Sequence, residues 1–302
     1  MSRKGWLLFV AMGVIWGLPY LLIKIAVREI SPPMLVEMRT GGASLLLVPI
    51  ALARGELLPV LRRWKALIAF SLVEVSIPWL LLFNAETKLS SSLSGLLVAA
   101  VPLTAAVLAR ATHTADRLDR RQLVGVLVGL GGVAALVGFN VGTSDLWAAL
   151  SIGVVAIGYA LGPFILSKYL KDLPALGVMA AGLALCAIIY APIAAFAVPT
   201  RPLSASVITS VIGLTLICTA LGFVLFFALI AEVGPVRATV ITYVNPAVAV
   251  VLGVAVLGEG FGWGTAFGFL LIVIGCYLAT GRKAEERPAA PAPSVLIVGD
   301  GS

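Results

Sequence analysis

Eight stretches of this chain contain no Asp, Glu, Lys or Arg: 5–23, 89–109, 122–144, 146–167, 173–200, 202–231, 238–258 and 260–281. Each is long enough for an α-helix to cross the hydrocarbon of a bilayer. Two further apolar stretches carry charge within them, about 33–53 with Glu37 and Arg39, and about 66–86 with Glu74 near its middle. Inside lipid, backbone polar groups must bond within their own helix or around a closed barrel. Barrel strands would alternate in shorter pieces, so these continuous runs predict helices. The expected fold is an all-α integral membrane protein with ten transmembrane helices.

Composition agrees. Only 12% of the residues are charged and the mean hydropathy is +1.10, whereas a soluble domain carries roughly a quarter charged residues. An ordinary soluble enzyme and a disordered chain are both excluded. The net charge of +7 marks cytoplasmic loops in a chain this apolar and does not point to nucleic acid. With the N-terminus inside and helices alternating, 16 of the 21 Lys and Arg fall in inside loops and tails, four fall outside, and Arg39 lies within a span. That bias predicts both termini in the cytoplasm; the expected location is a plasma membrane of the bacterial inner type. The first run follows Arg3 and Lys4 as a signal peptide would. It is read as retained, because it is long, no convincing cleavage site follows and the repeat below requires it. Residues 284–302, rich in Pro and Ala, predict a disordered cytoplasmic tail.

The chain repeats itself. Pro19 aligns with Pro163, Lys24 with Lys168 and Pro102 with Pro246, all at an offset of 144. Pro49-Ile50-Ala51 aligns with Pro192-Ile193-Ala194, and Gly125 and Gly132 with Gly268 and Gly275, at 143. Matched prolines carry weight because each constrains the backbone at one depth. The halves are 1–140 and 141–283. Five helices per half is an odd number, so the expectation is two inverted five-helix repeats, an architecture common in secondary transporters.

An ordered set of residues resembles the EamA domain of the drug/metabolite transporter superfamily. The opening is similar in Trp16-Gly17, Lys24, Ser31-Pro32 and Arg39. Asp116-Arg117-Leu118 with Gln122 and Gly125 resembles that domain's end, as does Leu257-Gly258-Glu259 with Gly268 and Gly275. The resemblance covers roughly residues 5–281 and implies ten helices in two copies and a small-molecule carrier of open cargo. Asp116 stands where the family usually has Glu, and Gly182 aligns with Arg39, so the arginine is not repeated.

Ionisable groups inside a bilayer are costly and mark functional or paired positions. Glu74 reads either as a protonatable carboxylate coupled to transport or as the ion-pair partner of Arg39. Arg39 in turn either holds a substrate carboxylate or locks helices. Lys24, at the outer end of the first helix, is expected to pair with Glu37, or to snorkel to the interface. Arg28 pairs with Glu29 or stays solvated. Pro102 and Pro246 remove the N–H groups that would bond the carbonyls of Val98 and Thr242. With Asn245 they mark two broken helices at corresponding depths, as cavity walls or as packing kinks. Trp16, Tyr20, Trp79, Tyr159 and Tyr243 are candidates to line a cavity and stack on cargo. The pairs Gly125/Gly129, Gly158/Gly162 and Gly264/Gly268 read as close-packing positions.

Cys186, Cys218 and Cys276 lie in apolar runs without a CxxC, and His113 is the one histidine, in the fourth-to-fifth loop. No metal ligand set, cofactor motif or catalytic constellation is read, so an enzyme is not expected. The leading reading is a secondary transporter of small metabolites (amino-acid-like, drug-like or related polar or amphipathic compounds), acting as an exporter. The alternatives are a sugar or nucleotide-sugar carrier, which would call for several deep basic groups, and a non-transport scaffold or receptor. The partners are a small-molecule substrate, a proton as coupling ion, and membrane lipid; the oligomeric state is open.

Overall fold

In the computed structural model, residues 2–111, 120–234, 238 and 240–280 are described. His113, Asp116-Arg117-Leu118 and the tail 284–302 lie outside them. Apolar sequence closes its backbone bonds locally, and every described element is helical. Eight helices are long and apolar enough to cross a membrane: α1 Arg3–Ala26, α2 Pro32–Ala53, α3 Trp64–Glu86, α4 Ser91–Leu108, α5 Arg120–Asn140, α6 Thr143–Leu170, α7 Ala175–Ala195 and α8 Ala205–Val233. Two shorter apolar helices follow, α9 Ile241–Leu257 and α10 Trp263–Thr280. The ten full-length spans expected are thus eight plus two shorter ones. A short helix, Leu57–Arg62, joins α2 to α3.

Helix starts follow from side-chain oxygens and from proline. Ser2 accepts the N–H of Gly5 at 2.9 Å and Ser90 that of Leu93 at 3.1 Å, each meeting one of the orphan donors of a first turn. Pro32 opens α2, where its missing N–H costs nothing. Gly258, at φ +67°, ends α9; this left-handed conformation is open to glycine at little cost.

Packing follows the repeat. Helix α2 lies along α7 and α5 along α10; α1 packs on α8 and α9, as α6 packs on α3 and α4. Exchanging one half for the other maps these pairings onto one another. The α5–α10 crossing shows the exchange at atomic scale. A Cβ on Gly125 or on Gly132 would meet the backbone of α10, near Gly275 O at 2.8 Å and Gly268 O at 2.7 Å respectively. The aligned pairs 125/268 and 132/275 therefore face each other crosswise. Small residues let the two backbones approach this closely.

Two π-helical segments also sit at matched places, Ser71–Ser76 in α3 and Gly213–Leu221 in α8. Shifting the first by the repeat offset of 143 gives 214–219, inside the second. Such bulges are frequent at functional sites. The α3 bulge is held at both ends by α7: the Ser71 hydroxyl donates to Gly182 O at 2.7 Å, and the Tyr190 hydroxyl to Ser76 O at 3.0 Å.

The prolines behave differently from one another. At Pro102, helix α4 is interrupted between Val98 and Val101, and the Cys276 thiol donates to Ala99 O at 3.4 Å. At Pro246, α9 runs through without a break. Two broken helices were expected; the described residues contain the break at Pro102 and not one at Pro246. Removing one backbone bond does not stop a helix whose neighbours hold it in place.

Candidate functional site

The buried face of α2 carries one charge, Arg39, which is 6% exposed. Its Nε donates to the Thr219 hydroxyl at 2.8 Å, and its guanidinium carbon stands 3.7 Å from the centre of the Trp79 ring. A planar, weakly hydrated guanidinium suits an aromatic face, and the attraction reaches about 2 kcal/mol when water is excluded. Thr219 is placed by the α8 bulge, where its hydroxyl also donates to Leu214 O, five residues back, at 2.7 Å. Trp79 follows Pro78 at the exit of the α3 bulge and stacks on Phe83 with ring centres 6.3 Å apart.

Glu74 lies in the α3 bulge, and its buried Oε2 has no hydrogen-bond partner. It faces Gly162 of α6, where a Cβ would collide with the carboxylate. One turn earlier, Gly158 admits Val73 O and Pro78 in the same way. The pair Gly158/Gly162 is therefore the recess into which the α3 bulge and its carboxylate fit. Between those glycines, Tyr159 lies beside the Trp79 side chain and within electrostatic reach of Glu74 and Arg39. Tyr20 of α1, almost buried, is within reach of Tyr159, Glu86 and Arg39.

Arg39, Glu74, Trp79, Tyr20 and Tyr159 thus come together from four helices. Arg39 and Glu74 are not an ion pair. The ion pairs among the described residues are Lys4–Glu232 and Arg63–Asp172, and Arg39 is engaged by an aromatic face and a hydroxyl instead. Two clefts, one of about 510 Å³ near Arg62–Lys65 and one of about 460 Å³ near Arg54, open elsewhere, and neither is lined by this group. Among the described residues no cluster of His, Cys, Asp and Glu is suited to a metal.

Other candidates sit elsewhere. Trp16 packs on Phe226 and Phe223 of α8, at 4.5 and 5.7 Å between ring centres. Asn245, with its amide nitrogen turned to the two carbonyls it faces, donates to Gly13 O and Ile241 O at 3.1 Å each, joining α9 to α1. Tyr243 packs half-buried on the main core and Pro246 is buried in α9, while Pro102 stands half-buried at the α4 break. Lys24 does not pair with Glu37: its ammonium donates to Glu86 O and Leu89 O, both at 2.7 Å. The end of α3 leaves carbonyls that a cation satisfies. Glu29 accepts the Ser204 N–H at 2.8 Å, and this bond first, then the Ser204 hydroxyl, holds its carboxyl below the ordinary range.

Sequence reasoning missed Glu86, Thr219 and Glu259 as parts of this region. Glu86 is fully buried at the end of α3, with no partner for either carboxylate oxygen. Glu259, just beyond the left-handed Gly258, caps α4 from the other half of the chain. It accepts from Ser91 N at 2.7 Å, Ser92 N at 2.9 Å and the Ser92 hydroxyl at 2.5 Å. Burial alone would push this carboxyl up; the bonds from Ser92 and Ser91 outweigh it and hold it below its ordinary value. A lowered carboxylate pKa stabilises the fold above the unfolded value, and that contribution is lost as pH falls through the folded one. Glu259→Gln is expected to lower stability by about 1 kcal/mol at neutral pH, with the gap to wild type closing in acid. Thermal midpoints across pH check this; a gap independent of pH would refute it.

These helices define a multi-pass membrane protein with a polar group enclosed between its helices. The model of the EamA-like transporter family matches residues 3–138 and again 146–281, and the chain belongs to that family. It is 30% identical over 281 residues to the uncharacterized inner membrane transporter YedA of Escherichia coli (strain K12), covering 89% of this chain and 90% of that protein. It is 24% identical to the uncharacterized transporter YvbV of Bacillus subtilis (strain 168), covering 94% of each. A solved crystal structure superposes with a TM-score of 0.66 at 22% identity, covering 92% of this chain and 98% of that one, and so shares its fold.

Proposed function

We propose that the protein is a secondary transporter that exports small metabolites of amino-acid-like or related polar or amphipathic chemistry across the bacterial inner membrane, with a proton as coupling ion. One observation carries this reading. A cation held by an aromatic ring and a hydroxyl, and a carboxylate whose buried oxygen has no partner, are gathered with two tyrosines between the halves. An arginine so placed offers its remaining donors to a carboxylate, and Glu74 offers an acceptor to an ammonium or a proton. A zwitterion satisfies both. The single deep arginine favours such cargo over a nucleotide sugar, whose phosphates would call for more cations. The test is flux in proteoliposomes loaded with amino acids and related amphipathic compounds under an imposed pH gradient. Efflux of a zwitterionic compound that dissipates the gradient is expected. Flux confined to sugar phosphates or nucleotide sugars would overturn the cargo assignment.

The same reading makes residues 1–140 and 141–283 two inverted repeats of five spans, with both termini cytoplasmic. The matched π segments and the exchanged packing support it. In a variant lacking Cys186, Cys218 and Cys276, a cysteine at Ser144 is expected to react with a membrane-impermeant thiol reagent from outside intact cells. Reaction only after the membrane is disrupted would rule the inversion out.

A further inference from the structure

At the end of the bundle opposite Lys24 and Glu259, the short helix Leu57–Arg62 and the start of α3 meet the end of α6. Their junction is a cleft of about 510 Å³ lined by Arg62, Arg63, Trp64, Lys65, Lys168 and Tyr169. Four cations from both halves of the chain therefore face one space. One carboxylate answers them: Asp172 lies 3.7 Å from Arg63, which also donates to Tyr169 O at 2.7 Å. Both members of that pair are about half exposed, so water screens it and it neutralises little. Even with that carboxylate counted in full, the cleft keeps an excess of about three positive charges.

Its rim is apolar and aromatic. Trp64 is 54% exposed, and Leu58 and Leu61 on the short helix are also exposed. Exposed tryptophan and tyrosine at the ends of spans belong at the headgroup level of a bilayer, and exposed leucines beside them meet acyl chains. A basic recess between membrane helices with such a rim has the chemistry of an anionic headgroup site.

We propose that this cleft binds a phospholipid whose headgroup carries two phosphates, bridging the two halves of the protein at this face. A single phosphate would leave most of the excess charge unanswered, whereas two phosphates can each meet a cation from a different half, Lys65 on one side and Lys168 on the other. The site does not depend on what the protein transports.

The experiment uses the purified full-length protein in neutral detergent. Thermal midpoint and retained lipid are read after addition of diphosphatidylglycerol, phosphatidylglycerol, phosphatidylcholine or inorganic phosphate. Diphosphatidylglycerol is expected to raise the midpoint and to remain bound, phosphatidylglycerol to do so less, and phosphatidylcholine and phosphate not at all. The double variant Lys65→Gln/Lys168→Gln, exposed at both positions, is expected to bind diphosphatidylglycerol about tenfold more weakly or worse, each cation near an anionic lipid being worth on the order of 1 kcal/mol. Lys65→Arg/Lys168→Arg is expected to retain binding. Equal binding by wild type and the Gln variant, an equal response to phosphatidylcholine, or an equal response to free phosphate would each overturn the proposal. Loss of binding in the Arg variant as well would show that charge is not what the cleft reads, with the same consequence.

Discussion

Glu74→Gln is expected to insert and fold as wild type does, while proton-dependent transport falls by about tenfold or more and its dependence on pH flattens. The exchange keeps the shape that fits against Gly162 and removes ionisation. Losing one charge-assisted bond to cargo or proton corresponds to about 1.5–3 kcal/mol, hence one to two orders of magnitude in rate or affinity. A structural role would read differently. If the carboxylate only filled the recess, the amide would fill it too, and flux would not change. Glu74→Ala separates the cases further, since it empties the recess and tests packing. The readout is flux at several pH values in proteoliposomes containing equal amounts of monodisperse protein. Wild-type flux with an unchanged pH profile in Glu74→Gln would remove this residue from the mechanism.

A second substitution should act on the fold with larger effect. A Cβ at Gly275 would meet the backbone of Gly129 and lie 2.7 Å from Gly125 O. Backbone cannot rotate away as a side chain can, so α5 and α10 must separate. Gly275→Ala is expected to cost about 1–3 kcal/mol, lowering the thermal midpoint. Gly275→Leu is expected to yield no folded, monodisperse protein. Gly131 and Gly138 on the same α5 face open space, with nothing within 4 Å of a Cβ, so leucine there should be tolerated. Size-exclusion profiles of the four variants decide the matter. A monodisperse Gly275→Leu with a wild-type midpoint would show that the crossing is not close-packed.

What could be read before the structure depended on how each signal is carried. Helices announce themselves by long uncharged runs, and the repeat by matched prolines and glycines. Arg39 and Glu74 stand out because each interrupts such a run. Glu86 does not, because it stands where a run ends and is indistinguishable there from a loop charge; only tertiary packing makes it buried. Thr219 carries no signal at all, since threonine is ordinary in membrane helices, and its placement depends on a bulge that no residue type marks. The lysine at 24 was read toward a carboxylate, because charge suggests opposite charge. The carbonyls at the end of α3 were the nearer acceptors, and backbone acceptors are invisible in side-chain reasoning. The two aligned prolines give the same sequence cue, yet one breaks its helix and one does not, because neighbouring helices decide the outcome.

The recess at Gly162 has a consequence for descent as well as for mechanism. Any side chain at position 162 would occupy the volume that the Glu74 carboxylate fills. A lineage cannot enlarge residue 162 and keep a glutamate at 74, and a lineage that shortens residue 74 frees 162 to vary. Among relatives the two positions should therefore change together, so that the residue opposite the carboxylate records whether a chain still carries it.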